Sequence, residues 1–97
     1  QREPRAAAAS AKEAVAANPN DARIVEMLGA TLLAAGEAQQ AAGAFAKLAE
    51  LQPEAPGPLV RLAQAHAAAK SYDPAIQAMR RAVAMRPGAP ELARELV

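Results

Sequence analysis

The sequence contains no cysteine and no tryptophan, and it has only one Phe and one Tyr. The absence of cysteine excludes disulfides, iron–sulfur clusters and thiolate zinc sites, and it leaves the redox compartment undetermined. The shortage of aromatic side chains argues against single-stranded nucleic-acid binding, because such proteins usually stack bases on aromatic platforms.

The net charge is small, and long apolar runs are missing as well. The formal charge of +1 at pH 7 gives little electrostatic attraction to DNA or to a membrane surface. No apolar run approaches the roughly 20 residues that span a bilayer, and the N-terminal sequence is not that of a secretory signal. We therefore expect no nucleic-acid partner and no membrane insertion. The compartment stays unknown, with the cytoplasm slightly favoured, and Gln1 in place of Met suggests an excised part of a longer chain.

Alanine, in contrast, is abundant, with 30 of the 97 residues. Alanine is the best helix former but buries little apolar area, so the core must come from close helix approach and from a few large side chains. Richness in alanine and arginine is also typical of a GC-rich bacterial genome. The large residues that we expect in the core are Ile24, Val25, Met27, Leu28, Leu32, Leu33, Phe45, Leu48, Leu51, Leu59, Leu62, Ile76, Met79, Val83 and Met85.

Proline recurs at an interval of 34 residues, at Pro19, Pro53 and Pro87. The stretch from Ala22 to Pro53 is typical of two amphipathic helices with a tight turn between them, and the same skeleton recurs from Pro56 to Pro87. A period of this length favours a stacked helical array over a single globular core, because each unit covers its apolar face with its neighbours.

The pattern predicts a helix from about Arg5 to Ala17, followed by a second helix from near Asp21, its N-cap, to about Ala35. Gly36 is expected to end the second helix in a left-handed conformation. In that helix Ile24, Leu28 and Leu32, widened by Val25, form the core stripe.

A third helix is expected from about Ala38 to Leu51, with Ala41, Phe45 and Leu48 on its packing face and Gly43 allowing close approach. The fourth begins near Pro58, a suitable first-turn residue, and extends to about Ala69. Asp73 is predicted as the N-cap of the fifth helix, whose packing residues are Ala75, Met79 and Ala82.

These elements form one predicted domain over residues 1–97. Residues 1–19 are the second helix of a partial repeat, residues 22–55 and 56–89 are two full repeats, and residues 90–97 are the start of a further first helix. In that last segment we expect Leu92, Leu96 and Val97 to cover the helix before it.

The first repeat carries a characteristic set of residues, namely Val25, Leu28, Gly29, Leu32, Gly36, Ala41, Phe45, Leu48 and Pro53, and the second carries Leu59, Leu62, Ala63, His66, Lys70, Ala75, Met79, Ala82 and Pro87. This pattern resembles the tetratricopeptide repeat family, in which a large residue, Leu-Gly and a large residue are followed by Ala, an aromatic residue and Pro. The second copy departs from it at Ala63, and the family's usual Trp and Tyr are missing from both first helices.

The resemblance implies an all-α fold, a right-handed solenoid whose first helices line a concave groove for a peptide or protein segment. It places the groove side of the first helices at Arg23, Glu26, Ala30, Leu33, Ala34, Val60, Arg61, Gln64, Ala67 and Ala68. The clamp for a C-terminal carboxylate found in chaperone-binding members is not expected, because only Arg61 fits its Lys and Asn pattern.

His66, the only histidine, is interpreted as a partly buried structural residue, since no ligand lies three or four residues away on its face. Ser71 and Asp73 are close to it in sequence but are better explained as turn and cap residues. We therefore expect no catalytic residue, no metal site and no cofactor.

Charge divides unevenly along the chain. Residues 56–89 hold five bases and one acid, whereas residues 1–55 hold five bases and seven acids. The basic outer face of the fifth helix is either simply solvated or a contact for an acidic partner, and raised salt would weaken such a contact.

The sequence thus predicts a non-enzymatic protein-interaction module. Three alternatives remain open: self-association as an assembly scaffold, an accessory domain of a larger enzyme, and an RNA-binding helical array, which the near-neutral charge and scarce aromatics disfavour. The sequence does not identify the partner.

Overall fold

Five α-helices make up the part of the chain that the structure, a computed structural model, describes, namely residues 2–85 for the backbone and residues 6–85 for the side chains. The helices are α1 (Arg2–Ala17), α2 (Ala22–Ala34), α3 (Ala38–Leu51), α4 (Gly57–Ala68) and α5 (Tyr72–Met85). The predicted all-α fold is confirmed, and the predicted positions of Pro87 and of residues 90–97 lie outside the described residues.

The helices pack in chain order. The main contacts join α1 to α2, α2 to α3, α3 to α4 and α4 to α5, so each helix lies against its sequence neighbours. Moved by 34 positions, the bounds of α3 coincide with those of α5, and α4 begins one residue later than the shifted α2. The periodic sequence therefore forms a periodic backbone.

Two of the predicted helix starts are confirmed in detail. The Asp21 side chain accepts hydrogen bonds from the backbone amides of Arg23 (3.0 Å) and Ile24 (3.4 Å), which caps α2. Pro58 lies in the first turn of α4, where its missing amide leaves no bond unmade.

The start of α5 corrects a prediction. Asp73 is not the N-cap, because Tyr72 already belongs to the helix and Asp73 lies in its first turn. The carbonyl of Ser71 accepts the bond from the Ala75 amide, so the helical bonding begins at Ser71. A carboxylate in the first turn still interacts favourably with the helix dipole.

The turns after α2 and α4 repeat one hydrogen-bond pattern. The Glu37 amide donates to the Leu32 carbonyl, and the Ser71 amide donates to the His66 carbonyl, each at 2.8 Å. Such a bond from an amide to a carbonyl five residues earlier ends many helices and requires a left-handed residue before the donor. Gly36 takes that position in the first turn and Lys70 takes it in the second.

Alanine dominates the core. Among the side chains that the structure describes, ten of the sixteen buried hydrophobic residues are alanines, so helix surfaces approach closely and few large side chains fill the remaining space. The largest fully buried side chains are Phe45, Leu59 and Val25. In α2 the buried residues are Val25, Gly29 and Leu32, whereas Ile24 and Leu28 of the predicted stripe are half-buried.

The Phe45 ring of α3 packs directly against Gly29 of α2. A Cβ atom added to Gly29 would lie 2.6 Å from Cε1 of Phe45. The ring therefore occupies space that is free only because Gly29 has no side chain. Gly43, which the sequence suggested for this role, is exposed, and nothing lies within 4 Å of a Cβ added there. That prediction was wrong because the packing face of α3 is formed by its neighbours Ala41, Ala42, Ala44 and Phe45.

Candidate functional site

The predicted site residues form one face on each of two helices. In α2 the buried side is formed by Val25, Gly29 and Leu32, and Glu26, Ala30 and Leu33 lie beside it at spacings of four and three residues. The same spacing in α4 places Val60, Gln64 and Ala67 together. We call these two faces together the α2–α4 surface, formed by Arg23, Glu26, Ala30, Leu33, Ala34, Val60, Arg61, Gln64, Ala67 and Ala68.

None of these ten residues is buried. Glu26, Leu33 and Val60 are half-buried and the other seven are exposed. Leu33 and Val60 also pack against the core, so their side chains are held in place from one side. The surface thus consists of small and medium apolar side chains with polar side chains among them.

Glu26 and Arg61 connect the two halves of the α2–α4 surface. The Arg61 Nη2 atom lies 3.2 Å from Oε2 of Glu26, and each side chain is 45% exposed. A pair exposed to this extent contributes little stability, on the order of 0–1 kcal/mol. Its role is geometric, since it joins one predicted site residue on α2 to one on α4.

Arg61 has a second contact, with an aromatic ring. Its guanidinium carbon lies 5.8 Å from the centroid of the Phe45 ring, near the outer limit of a cation–π interaction. The Phe45 ring is itself wedged against Gly29. Arg61 is therefore oriented by Glu26 and by the core at once, which leaves it less free than an isolated surface arginine.

The chemistry that the α2–α4 surface offers is non-covalent. Alanine, leucine and valine provide apolar contact, while Arg61 and Gln64 provide hydrogen-bond donors and Glu26 and Gln64 provide acceptors. Because Glu26 and Arg61 are paired, the remaining charge on this surface is that of Arg23. Such a surface suits a segment with apolar side chains and a modest acidic character.

A second depression lies between α4 and α5. This α4–α5 groove has a volume of about 720 Å³ and an almost wholly apolar lining. Gln64 and Ala67 belong both to it and to the α2–α4 surface. Its lining residues are Ala63, Gln64, Ala67, Tyr72, Ala75, Ile76, Met79, Arg80, Val83 and Ala84.

The α4–α5 groove corrects part of the predicted core. Ile76, Met79 and Val83 were expected to be buried, but all three are exposed on α5. Among the described residues nothing packs over this side of α5, whereas α4 packs over the matching side of α3. Met27 was also expected in the core and is exposed on α2. Helical spacing identified large apolar residues but not which of them have a neighbouring helix.

His66 is half-buried, in agreement with its structural interpretation, and its Nδ1 atom is buried without a hydrogen-bond partner among the described residues. Ser71 Oγ instead accepts a 3.4 Å hydrogen bond from Gln39 Nε2 on α3. Within residues 6–85 no side-chain hydrogen bond joins His66, Ser71 and Asp73, and no group of three His, Cys, Asp or Glu side chains could hold a metal ion.

The lengths and hydropathies of the helices bear on membrane insertion. Across the described helices, none combines the length and the apolar character that crossing a bilayer requires.

Comparison with known protein families identifies a repeat in the chain. A sequence model described as tetratricopeptide repeat matches residues 1–56 and again residues 27–90. The two matches overlap and together cover most of the chain, in agreement with the 34-residue period. No curated protein matches the sequence.

Proposed function

Because the chain belongs to the tetratricopeptide repeat family, we propose that it is a protein-interaction module that binds a peptide or protein segment across the α2–α4 surface. Domains of this family are generally protein-protein interaction modules. The observation that carries the assignment of the surface is the Glu26–Arg61 pair, which joins the exposed faces of α2 and α4 into one continuous strip.

The binding mechanism that we propose is preorganised docking. The α2 and α4 backbones are fixed by packing on α3, and Leu33 and Val60 are held against the core before any partner arrives. A segment that binds here does not have to order the surface, which lowers the entropic cost of association. Apolar side chains of the segment would lie over Leu33 and Val60, and an acidic group would lie near Arg23.

The proposal includes the absence of catalysis. Domains of this family are typically non-catalytic. Ser71, which lies near His66 in sequence, is hydrogen-bonded through its side chain to Gln39 instead. Docking, rather than chemistry, is therefore the activity to test.

A matched pair of triple variants tests the assignment of the surface. The test variant combines Arg23→Ala, Glu26→Ala and Gln64→Ala, and the control combines Arg81→Ala, Glu50→Ala and Gln77→Ala, whose side chains are exposed outside the α2–α4 surface. Both remove one Arg, one Glu and one Gln, so net charge and helix propensity change equally.

Peptides are first selected from a random peptide library on the intact chain, and their affinities are then measured by calorimetric titration. We expect the test variant to weaken binding about tenfold or more, corresponding to ~1.4 kcal/mol, and the control to leave it within about twofold. Equal affinities for the two variants would refute the surface assignment. Binding of mixed RNA at low salt would instead support the nucleic-acid alternative.

A further inference from the structure

Equivalent positions of α3 and α5 differ sharply in exposure. Phe45 on α3 is 0% exposed, and Met79, 34 residues later on α5, is 42% exposed. Ala42 and Ile76 are another equivalent pair and differ in the same way, because Ala42 is 4% exposed and Ile76 is 51% exposed. The difference arises because α4 covers α3, while no described helix covers this side of α5. The α4–α5 groove thus lies where one more helix of the array would pack.

The chain itself supplies a segment with matching spacing. Residues 90–97 follow α5 after Met85, as α4 follows α3 after Leu51, and Pro87 and Pro90 stand 34 residues after Pro53 and Pro56. The connection between α3 and α4 takes five residues, and five residues also separate Met85 from position 91. A link of the same length can therefore make the same turn.

The side chains of the segment also match the burial pattern of the helices that it repeats. Leu92, Ala93, Leu96 and Val97 occupy positions that are buried or half-buried in both α2 and α4. Glu91 and Glu95 occupy positions that are exposed in both helices. Every apolar residue thus falls on the side that would face α5, and both acids fall on the side that would face solvent.

We propose that residues 90–97 form a helix that docks in the α4–α5 groove, with Leu92 and Leu96 against α5. The groove and the segment match in apolar character, because Arg80 is the only charged lining residue and the apolar residues of the segment lie on the side that would face α5. A second copy would place Arg80 against its own equivalent. Its contact area would be one helix face, small beside the roughly 800 Å² per partner of a stable interface. The tethered segment is also favoured by its high local concentration.

The absence of cysteine makes a site-specific test possible in the 97-residue chain. Glu95→Cys introduces a single thiol for a nitroxide spin label, and the three methionines give three methyl resonances when they are ¹³C-labelled. Glu95 repeats the position of Arg61, whose guanidinium carbon lies 5.8 Å from the Phe45 ring centroid, and Met79 repeats the position of Phe45. The label should therefore broaden the Met79 methyl signal several-fold more than that of Met27.

Two further variants separate docking from random encounters of a tethered tail. Adding Leu92→Ala and Leu96→Ala to the labelled chain should abolish most of the broadening at Met79, while adding Glu91→Ala should leave it unchanged. Both variants keep good helix formers in the segment, and unchanged Met27 shifts confirm that the fold is retained. Broadening that survives the leucine changes, or that is never selective for Met79, overturns the proposal.

Mixing two differently labelled samples tests whether a second copy of the chain occupies the groove. Spin-labelled chain without ¹³C is added to ¹³C-labelled chain without a spin label, so that only intermolecular contact can broaden Met79. We expect no broadening in this mixture. Selective broadening of Met79 would mean that another copy occupies the groove, and it would overturn the intramolecular assignment.

Discussion

At the scale of single residues, the two turns differ in the energetic cost of their left-handed backbone conformation. Gly36 has φ = 83° and Lys70 has φ = 65° at the equivalent position of the next repeat. Both turns use the same bond from an amide to a carbonyl five residues earlier. A side chain in this region costs roughly 1–2 kcal/mol, which glycine does not incur. Lys70 therefore carries backbone strain that Gly36 lacks.

Exchanging the two residue types tests that difference. Lys70→Gly should raise the free energy of unfolding by about 0.5–1 kcal/mol, because relief of strain exceeds the added entropy of the unfolded glycine. Gly36→Lys should lower it by a similar amount, since nothing lies within 4 Å of an added Cβ and only the backbone opposes the change. Urea unfolding followed by circular dichroism measures both. Destabilisation by Lys70→Gly would contradict the account.

Residue burial was predicted well in the middle of the chain and poorly on α5. Val25, Leu32, Phe45, Leu48 and Leu59 are buried as predicted. Helical spacing identifies them because each faces a helix that the sequence also predicts. The spacing of Ile76, Met79 and Val83 is equally helical, but the structure describes no helix against them. Burial depends on a neighbour, and periodicity within one helix does not reveal whether one is present.

At the scale of helices, α2 and α3 meet through a complementary pair, a glycine and an aromatic ring. The ring of Phe45 fills the space where a side chain on Gly29 would be, and Arg61 of α4 lies beside the same ring. The second hairpin replaces the pair with Ala63 and Met79. Met79 is 42% exposed, so the second hairpin lacks this buried contact between a glycine and a ring.

Alanine substitutions at two glycines separate packing from helix propensity. Gly29→Ala should lower the free energy of unfolding by about 1–3 kcal/mol, because its Cβ would lie 2.6 Å from Phe45 Cε1 and 2.7 Å from Cζ. Gly43→Ala, on an exposed face of α3, should raise it by about 0.5–1 kcal/mol through helix propensity alone. The same urea titration measures both variants. Stabilisation by Gly29→Ala would refute the close packing.

Helix ends were predictable where a local signal exists. The cap at Asp21, the stop at Gly36 and the start near Pro58 each depend on the chemistry of one residue and its chain neighbours. Asp73 followed by Pro74 carries an equally strong local signal, yet α5 begins earlier, at Tyr72. The start of α5 is set by the repeated turn. Lys70 and Ser71 complete the hydrogen-bond pattern of that turn, and α5 begins directly after them.

At the scale of the whole molecule, packing in chain order produces an elongated body with principal extents of 47 × 27 × 16 Å. The 34-residue proline period predicted this arrangement because a repeat that buries its face on its neighbours must stack. The period does not say which surface a partner uses. The position of the α2–α4 surface came from family resemblance, and it remains a prediction.

Shift mapping by NMR shows directly whether a bound segment lies across α2 and α4. The ¹⁵N-labelled 97-residue chain is titrated with a selected peptide until it is saturated. We expect the largest amide shift changes at Glu26, Ala30, Leu33, Gln64 and Ala67, with small changes on the outward faces of α3 and α5. Largest changes at Gln77, Arg81 and the outer residues of α3, with α2 unaffected, would contradict it.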